Sequence, residues 1–514
     1  MGLNLGDCLR LQAASRPDAV CVRFGAVRMT YGEVDAAARR VARMLADGGM
    51  QPRTRVALML PNVPQFVVAY YGALYAGATV VTLNPLLRPR ELRHVIKDAQ
   101  VEVLFAFADF AGTAAGMLED CPPLKRLLVV EAAMTPETPA YGESFMAAML
   151  QAQPDFEPLQ MRPEDLAGIL YTAAQDGTPR GAMLSHFNLF QNALTISTFS
   201  LRYFPEDVFL TVLPLFHGFG LTTMLNGPLL QGSSIVLLPR FDATSLLDTM
   251  ERERVTLTAM VPTMFTFLLQ TPADKTYDLS ALRCAVAGGS KMDLDVAAAF
   301  TERFKVPVFE GYGLTETSPV VSFNYPEDES RPGSVGRPIW GCEYLVVDED
   351  DNPLPPGQEG EVCLRGHNVF QGYLNDPESS AKVLRNGWLH TGDLGYLDED
   401  GFLYLTGLKK VMLLRAGMNV YPREVEKVLE DHPLVREAAV VGVADMLRGQ
   451  DVKGFVALEP GAVLAAKELL AWCRDQLSSY KCPRRIEFVD ALPHAADGGI
   501  DRAALLSQAA EAVS

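Results

Sequence analysis

The chain has 514 residues, 48% hydrophobic and 21% charged, more than one ordinary core accommodates, so a globular protein of two or more domains is expected. Its 45 basic and 63 acidic residues leave a net charge of −18, which argues against non-specific nucleic-acid binding and against a polybasic membrane anchor. The opening MGLNLGDCLRLQ has no basic-then-apolar signal pattern, and the longest apolar stretch is interrupted by Pro, Asn and Gln, so a cytoplasmic protein without a transmembrane segment is expected.

In chain order, TYGEVDAAARRVARMLADGG (30–49) opens on a Thr cap and closes on Gly-Gly, predicting an amphipathic helix. RVALMLPN (55–62) reads as a short buried strand, PQFVVAYYGALYAGA (64–78) as a helix and ATVVTLN (78–84) as a strand. Leu170 and Tyr171 end another apolar strand, and Met183-Leu184-Ser185-His186 leads into a helical pattern. LTTMLNGPLL (221–230) is helix-like before the strand SSIVLLP, and the strand TLTAMVP precedes TMFTFLLQ. Such alternation predicts an α/β chain with largely parallel sheets.

From about 320 the texture changes. SVGRPIWGCEYLVVDEDDNPLPPGQEGEVCLRG (334–366) reads as short strands joined by Pro/Gly/Asp turns, and DEDGFLYLTG (398–407) as a hairpin-like pair. KKVMLLRAGMNVYPREVEKVLEDHP (409–433) predicts a strand, a turn and a helix; EAAVVGVAD and KGFVALEP are strands, and AAKELLAWCRDQLSSY is a helix. The expectation is a large N-terminal domain, 1–408, with mixed parallel sheets and a β-rich subdomain, followed by a small α/β domain, 409–514. The eight cysteines are scattered and form no CxxC pair, so reduced buried thiols are expected rather than a zinc or redox site.

LYTAAQDGTPRGAMLSH (170–186) has the strand–loop–helix setting of a phosphate cradle, where backbone N–H groups approach phosphate oxygens. Such a loop favours small and hydroxylated residues; this one offers Ala173, Ala174, Gln175 and Asp176. Five more segments carry chemistry-bearing residues: LPLFHGFGL (213–221), GGSKM (288–292), GYGLTETSPVVS (311–322), WLHTGDLGYLDEDGFLYLTG (388–407) and AGMNVYPREVE (416–426).

As an ordered set spanning nearly the whole chain, these segments resemble the AMP-forming adenylating superfamily of acyl-CoA synthetases, luciferases and peptide-synthetase adenylation domains. GMNVYP, with no carrier-protein domain following, resembles the fatty acyl-CoA synthetase branch most. The resemblance implies ATP/AMP, Mg²⁺ and coenzyme A as ligands, a small-molecule acyl substrate, and a mobile small domain; it leaves room for a homodimer. It implies that Tyr312 stacks the adenine in a loop shared with Gly313 and Thr315, that Glu316 holds Mg²⁺, and that Asp393 accepts the ribose hydroxyls, tasks suited to a flat aromatic face and to carboxylates. Gly289 would belong to the adenine loop, Thr172 and Arg180 to the phosphate loop, and His217 would lie near the substrate carboxylate, with Arg180, His217 and Glu316 as the catalytic set. Gly417, Met418, Asn419 and Glu424 would swing in for the thioester step, Gly417 permitting close backbone approach to a pantetheine arm. A lone His between apolar residues is otherwise an ordinary core residue, and Phe216, Phe219, Thr222, Met224 and Val320 fit an apolar substrate pocket and plain core equally.

The sequence departs from the family at three places. The phosphate loop, close to YTSGTTGxPKG in the family, has lost a Ser, a Gly and two Thr; Asp176 puts a negative charge where triphosphate would lie, and Arg180 replaces Lys. The family's TGRxKD is TGLKKV here, with Leu408 for the Arg and Val411 for the acid; its TxSGKIxR is HAADGGIDR, with Gly499 for the Lys. Lys409, Lys410 or Lys481 would have to replace that cation. The expected function is therefore an acyl-CoA synthetase-like protein acting on an apolar carboxylate through an acyl-adenylate, with ATP-dependent adenylation impaired. The alternative is a non-adenylating homologue that binds acyl-AMP or acyl-CoA, or runs one half-reaction.

Overall fold

The computed structural model describes residues 3–133, 135–172, 178–272, 275–325, 331–409, 412–445, 448–494 and 500–511. They group into two compact units. The first comprises Met1–Pro85, Ile96–Tyr171 and Gly181–Gly407, and the second Leu86–Val95, Thr172–Arg180 and Leu408–Ser514.

The first unit carries the alternation read from the sequence. Arg55–Met59 pairs in parallel with Thr79–Thr82 and Val101–Phe107, near the middle of a seven-stranded sheet. A nine-stranded sheet has a parallel centre made of Val208–Thr211, Ser234–Leu237, Leu257–Met260, Cys284–Ala287 and Val308–Gly313. Beyond Val308–Gly313 it turns antiparallel through Val320–Phe323 and Arg337–Pro338. The helix Tyr31–Asp47 starts in a capping box, the Thr30 hydroxyl accepting the Glu33 N–H while Glu33 Oε2 accepts the Thr30 N–H at 2.8 Å. The helix Pro64–Tyr75 is apolar all round apart from Gln65 and the tyrosine hydroxyls and is buried on every side, Gln65 donating to the Glu131 carbonyl at 3.0 Å. A third, antiparallel sheet is built from Cys342–Val347, Gly360–Gly366 and Trp388–Leu397, with Leu403–Leu408 paired to the last of these.

The second unit has its own antiparallel sheet, in which Val435–Asp445 and Gly449–Leu458 form the long pair and Arg485–Phe488 adds in parallel. Its core gathers Leu413, Val425, Val428, Val440, Val452 and Leu469. The α/β class, the parallel sheets, the β-rich section and a C-terminal α/β unit are all present.

Two local readings are corrected. Residues Arg180–Ser185 form a strand next to Leu166–Thr172 where the sequence predicts a loop, while the helix that residues 183–186 lead into does start at His186, with Ser185 as its N-cap. Among the described residues of 409–421 there are two three-residue strands, Leu413–Arg415 and Met418–Val420, rather than one. All eight cysteines are free and buried. Among the described residues no helix is long and apolar enough to cross a membrane.

Candidate active site

In the first unit four of the singled-out segments come together. Tyr312, at the end of the strand Val308–Gly313, donates its hydroxyl proton to Asp393 Oδ2, although the two lie 81 residues apart in the chain. Burial and the neighbouring Asp393 carboxylate raise the phenol pKa well above 10, so the hydroxyl stays a donor. Gly313 has no room for a side chain: a Cβ there would lie 1.9 Å from the Pro319 carbonyl oxygen. That carbonyl also accepts the Leu314 N–H, folding GYGLTETSP back on itself. Glu316, with Thr315 in a short 3₁₀ turn, is half-buried, and its Oε1 accepts the Tyr373 hydroxyl at 2.8 Å.

The other two segments meet this loop. Gly218 packs near Pro319, and the Gly288 backbone lies against the Phe219 ring, where a Cβ would sit 2.9 Å away. Met292 N–H donates to Glu310 Oε1 at 2.9 Å, joining GGSKM to the strand that carries Tyr312. Gly289 is exposed, with φ +83°. His217 caps the short helix Gly218–Leu221 and is exposed. Of the residues that fit either pocket or core, Thr222, Met224 and Val320 are buried, while Phe216 and Phe219 are partly exposed.

The second unit holds Thr172, at the end of the strand Leu166–Thr172, Arg180, and the segment 416–426. Ala416 and Gly417 both have positive φ, 51° and 79°, and turn Arg415 onto Met418 as a two-residue hairpin loop. Met418 and Asn419 form its second strand, and Glu424 lies in the first turn of the helix Pro422–Glu430. Glu424 is buried, and Lys481 Nζ lies 2.6 Å from its Oε1 and 2.7 Å from Glu91 Oε1. Ser478 donates both its N–H and its hydroxyl to Glu91 Oε2. Burial alone would lower the Lys481 pKa, but Glu424, Tyr480 and Glu91 outweigh it and hold the ammonium charged. Lys481, one of the lysines expected from the sequence to supply a cation in place of position 499, is thus enclosed between two carboxylates. Leu408 and Lys409 are exposed. Asp176, Lys410, Val411 and Gly499 lie outside the described residues.

Among the described residues no group of three His, Cys, Asp or Glu could hold a metal ion. A single carboxylate such as Glu316 suits Mg²⁺ that takes its other ligands from phosphate oxygens and water. Glu91, Glu310, Tyr373 and Ser478 were not foreseen from sequence. Glu310 carried a signal, a carboxylate set into a buried strand beside a candidate motif; Glu91, 390 residues from Lys481, carried none.

The family model for AMP-binding enzymes matches residues 9–374, and that for the AMP-binding enzyme C-terminal domain matches 424–498. A long-chain-fatty-acid–CoA ligase of Bacillus subtilis is 35% identical, the alignment covering 99% of this chain and 95% of that one. A feruloyl-CoA synthase of an Amycolatopsis species is 34% identical, with 97% of each chain covered. Among solved structures, an amide bond synthetase from Marinactinospora thermotolerans superposes with a TM-score of 0.89 at 29% identity over 99% of both chains. An o-succinylbenzoate CoA synthetase of Bacillus subtilis, bound to a product analogue, gives 0.86 at 28% identity over 98% of both. The chain belongs to the AMP-binding enzyme family.

Proposed function

We propose that the protein is an AMP-forming acyl-CoA synthetase for an apolar carboxylic acid, with a weakened adenylation step. The observation that carries the nucleotide half of this reading is the junction of Tyr312 with Asp393, which sets an aromatic face beside a carboxylate. In the reaction, a substrate carboxylate oxygen attacks the α-phosphorus of ATP and pyrophosphate leaves, giving acyl-AMP. The CoA thiol sulfur then attacks the acyl carbon, AMP leaves and the thiol proton is released. Tyr312 would stack the adenine, with Gly289, Gly313 and Thr315 shaping its slot, and Asp393 would take the ribose hydroxyls. Glu316 would hold Mg²⁺, which neutralises phosphate charge when bound. His217 would face the substrate carboxylate, and Thr172 and Arg180 the phosphates. Residues 409–514 would act as a mobile domain, bringing Gly417, Met418, Asn419 and Glu424 to the thioester step.

The relatives named as CoA ligases for long-chain fatty and feruloyl acids support the class and leave the acid open between aliphatic and aromatic. The weakened step rests on Asp176, Leu408, Val411 and Gly499, and on the enclosure of Lys481. These changes gather on the ATP side, whereas Tyr312, Glu316, Asp393 and 416–424 keep the family pattern. The same asymmetry favours a second reading, a homologue that takes acyl-AMP or acyl-CoA without making the adenylate.

The test is mass-spectrometric detection of acyl-CoA from Mg·ATP, CoA and a mixture of medium-chain, long-chain and aromatic acids. Slow turnover from ATP with fast turnover from synthetic acyl-AMP is the expected result. Fast turnover from ATP removes the weakened step. No product from either route leaves the binding homologue.

A further inference from the structure

We propose that Glu361, acting with Thr391, is a positioning residue for ribose recognition, because it fixes the bulge from which Asp393 projects. In the antiparallel pair formed by Gly360–Gly366 and Trp388–Leu397, Glu361 faces Leu394 and Cys363 faces His390. Thr391, Gly392 and Asp393 therefore stand opposite Val362 alone. Extra residues on one strand re-aim the side chains they carry, and they leave backbone groups without ladder partners. Gly392 takes φ +75° within the bulge.

Side chains occupy the places of the lost ladder bonds. Glu361 Oε1 accepts the Gly392 N–H at 3.0 Å. The Thr391 hydroxyl donates to the Val362 carbonyl at 2.7 Å and accepts the Asp393 N–H at 3.0 Å. Glu361 is 7% exposed, and its Oε2 faces His390 Nδ1 at 3.5 Å and Arg385 Nη2 at 3.9 Å. His390 is buried in turn, with Cys363 Sγ 3.3 Å from its Nδ1. The carboxylate is held from both sides, and removing it leaves the Gly392 amide without its acceptor in a buried place. Glu361 acts on Asp393 through the backbone and does not touch the ligand.

This inference rests on Asp393 being the ribose ligand, and the test separates the two. AMP and 2′,3′-dideoxyadenosine monophosphate are titrated calorimetrically into wild type, D393A, E361A, E361Q and T391V. Wild type should bind the dideoxy compound about tenfold more weakly, the scale of hydrogen bonds to a charged group. D393A should bind both alike. If D393A keeps the difference, or wild type binds neither compound, the ribose reading falls and the proposal with it. E361A and T391V should lose most of the difference while holding the dideoxy compound as wild type does, and E361Q, which keeps an oxygen for Gly392, should retain it. A merely structural defect would weaken both compounds equally, and that result, or an unchanged ratio in E361A and T391V, overturns the proposal. Should E361A fail to fold, T391V decides it by the same ratio.

Discussion

Glu310 shows how one residue registers its surroundings. It is 9% exposed, and burial pushes its pKa from 4.5 up to about 7, against the opposing Met292 N–H and Lys291. An acid whose pKa is raised by folding contributes its stability below the unfolded value and loses it as pH rises through the folded one. The window here is 4.5 to about 7, and the loss across it is about 3 kcal/mol. E310Q can still accept the Met292 N–H but cannot ionise. Its melting temperature relative to wild type should climb from pH 4.5 to pH 8, and a difference that stays flat with pH would mean that Glu310 ionises normally. Gly313 makes the opposite kind of test. With the Pro319 oxygen 1.9 Å from any Cβ, G313A must displace backbone at a cost of about 1–3 kcal/mol. Urea denaturation should show that loss together with weaker AMP binding; full stability in G313A would mean that the loop shifts freely.

At the scale of elements, the hairpin around Ala416-Gly417 separates local geometry from chemistry. Both residues are left-handed, which costs a residue with a Cβ about 1–2 kcal/mol. G417A should lose about that much stability, and A416N, which gives the favoured Asn-Gly turn, should gain some. Urea midpoints of both variants measure this, and a neutral G417A would free Gly417 from the turn and leave only its proposed place beside pantetheine. The buried cluster of Glu91, Lys481, Glu424 and Ser478 ties three parts of the second unit together. K481A strands two buried carboxylates and should cost about 3–5 kcal/mol. A K481A protein as stable as wild type by thermal melting would mean that Lys481 leaves this cluster readily. Long periodic elements were legible in the sequence: the helix from Tyr31 with its Thr30–Glu33 box, the buried Pro64–Tyr75, and the alternating strands between them. Arg180–Ser185 was not, because Met-Leu-Ser-His looks the same whether Ser185 caps a helix after a loop or after a strand. Three-residue strands such as Leu413–Arg415 are too short to display a period of two. The motifs themselves were legible, and what connects them was not: Glu361, Glu310 and Tyr373 act through tertiary contacts that leave only a misplaced polar residue in the local pattern.

At the scale of the molecule, the question is whether one charge would account for the proposed weakening of adenylation. Matches along 9–374 and 424–498, and relatives covering nearly the full chain, place it in a family of two-part enzymes. Under the proposed reading Gly499 would stand where the family pattern has Lys, and the lysine nearest to it in the sequence, Lys481, is already shared by Glu91 and Glu424. A cation aimed at charge developing on the α-phosphate is worth about 10²–10³ in rate. G499K should therefore raise acyl-AMP formation from ATP by about that factor and leave the conversion of supplied acyl-AMP to acyl-CoA unchanged, with pyrophosphate release and thioester formation measured separately. A gain in both steps would mean that the substitution acts on folding or domain position instead of on adenylation. No gain in either would move the proposed defect to 173–177, where Asp176 is expected from the sequence to oppose the triphosphate, and D176T added to G499K should then recover what G499K alone does not.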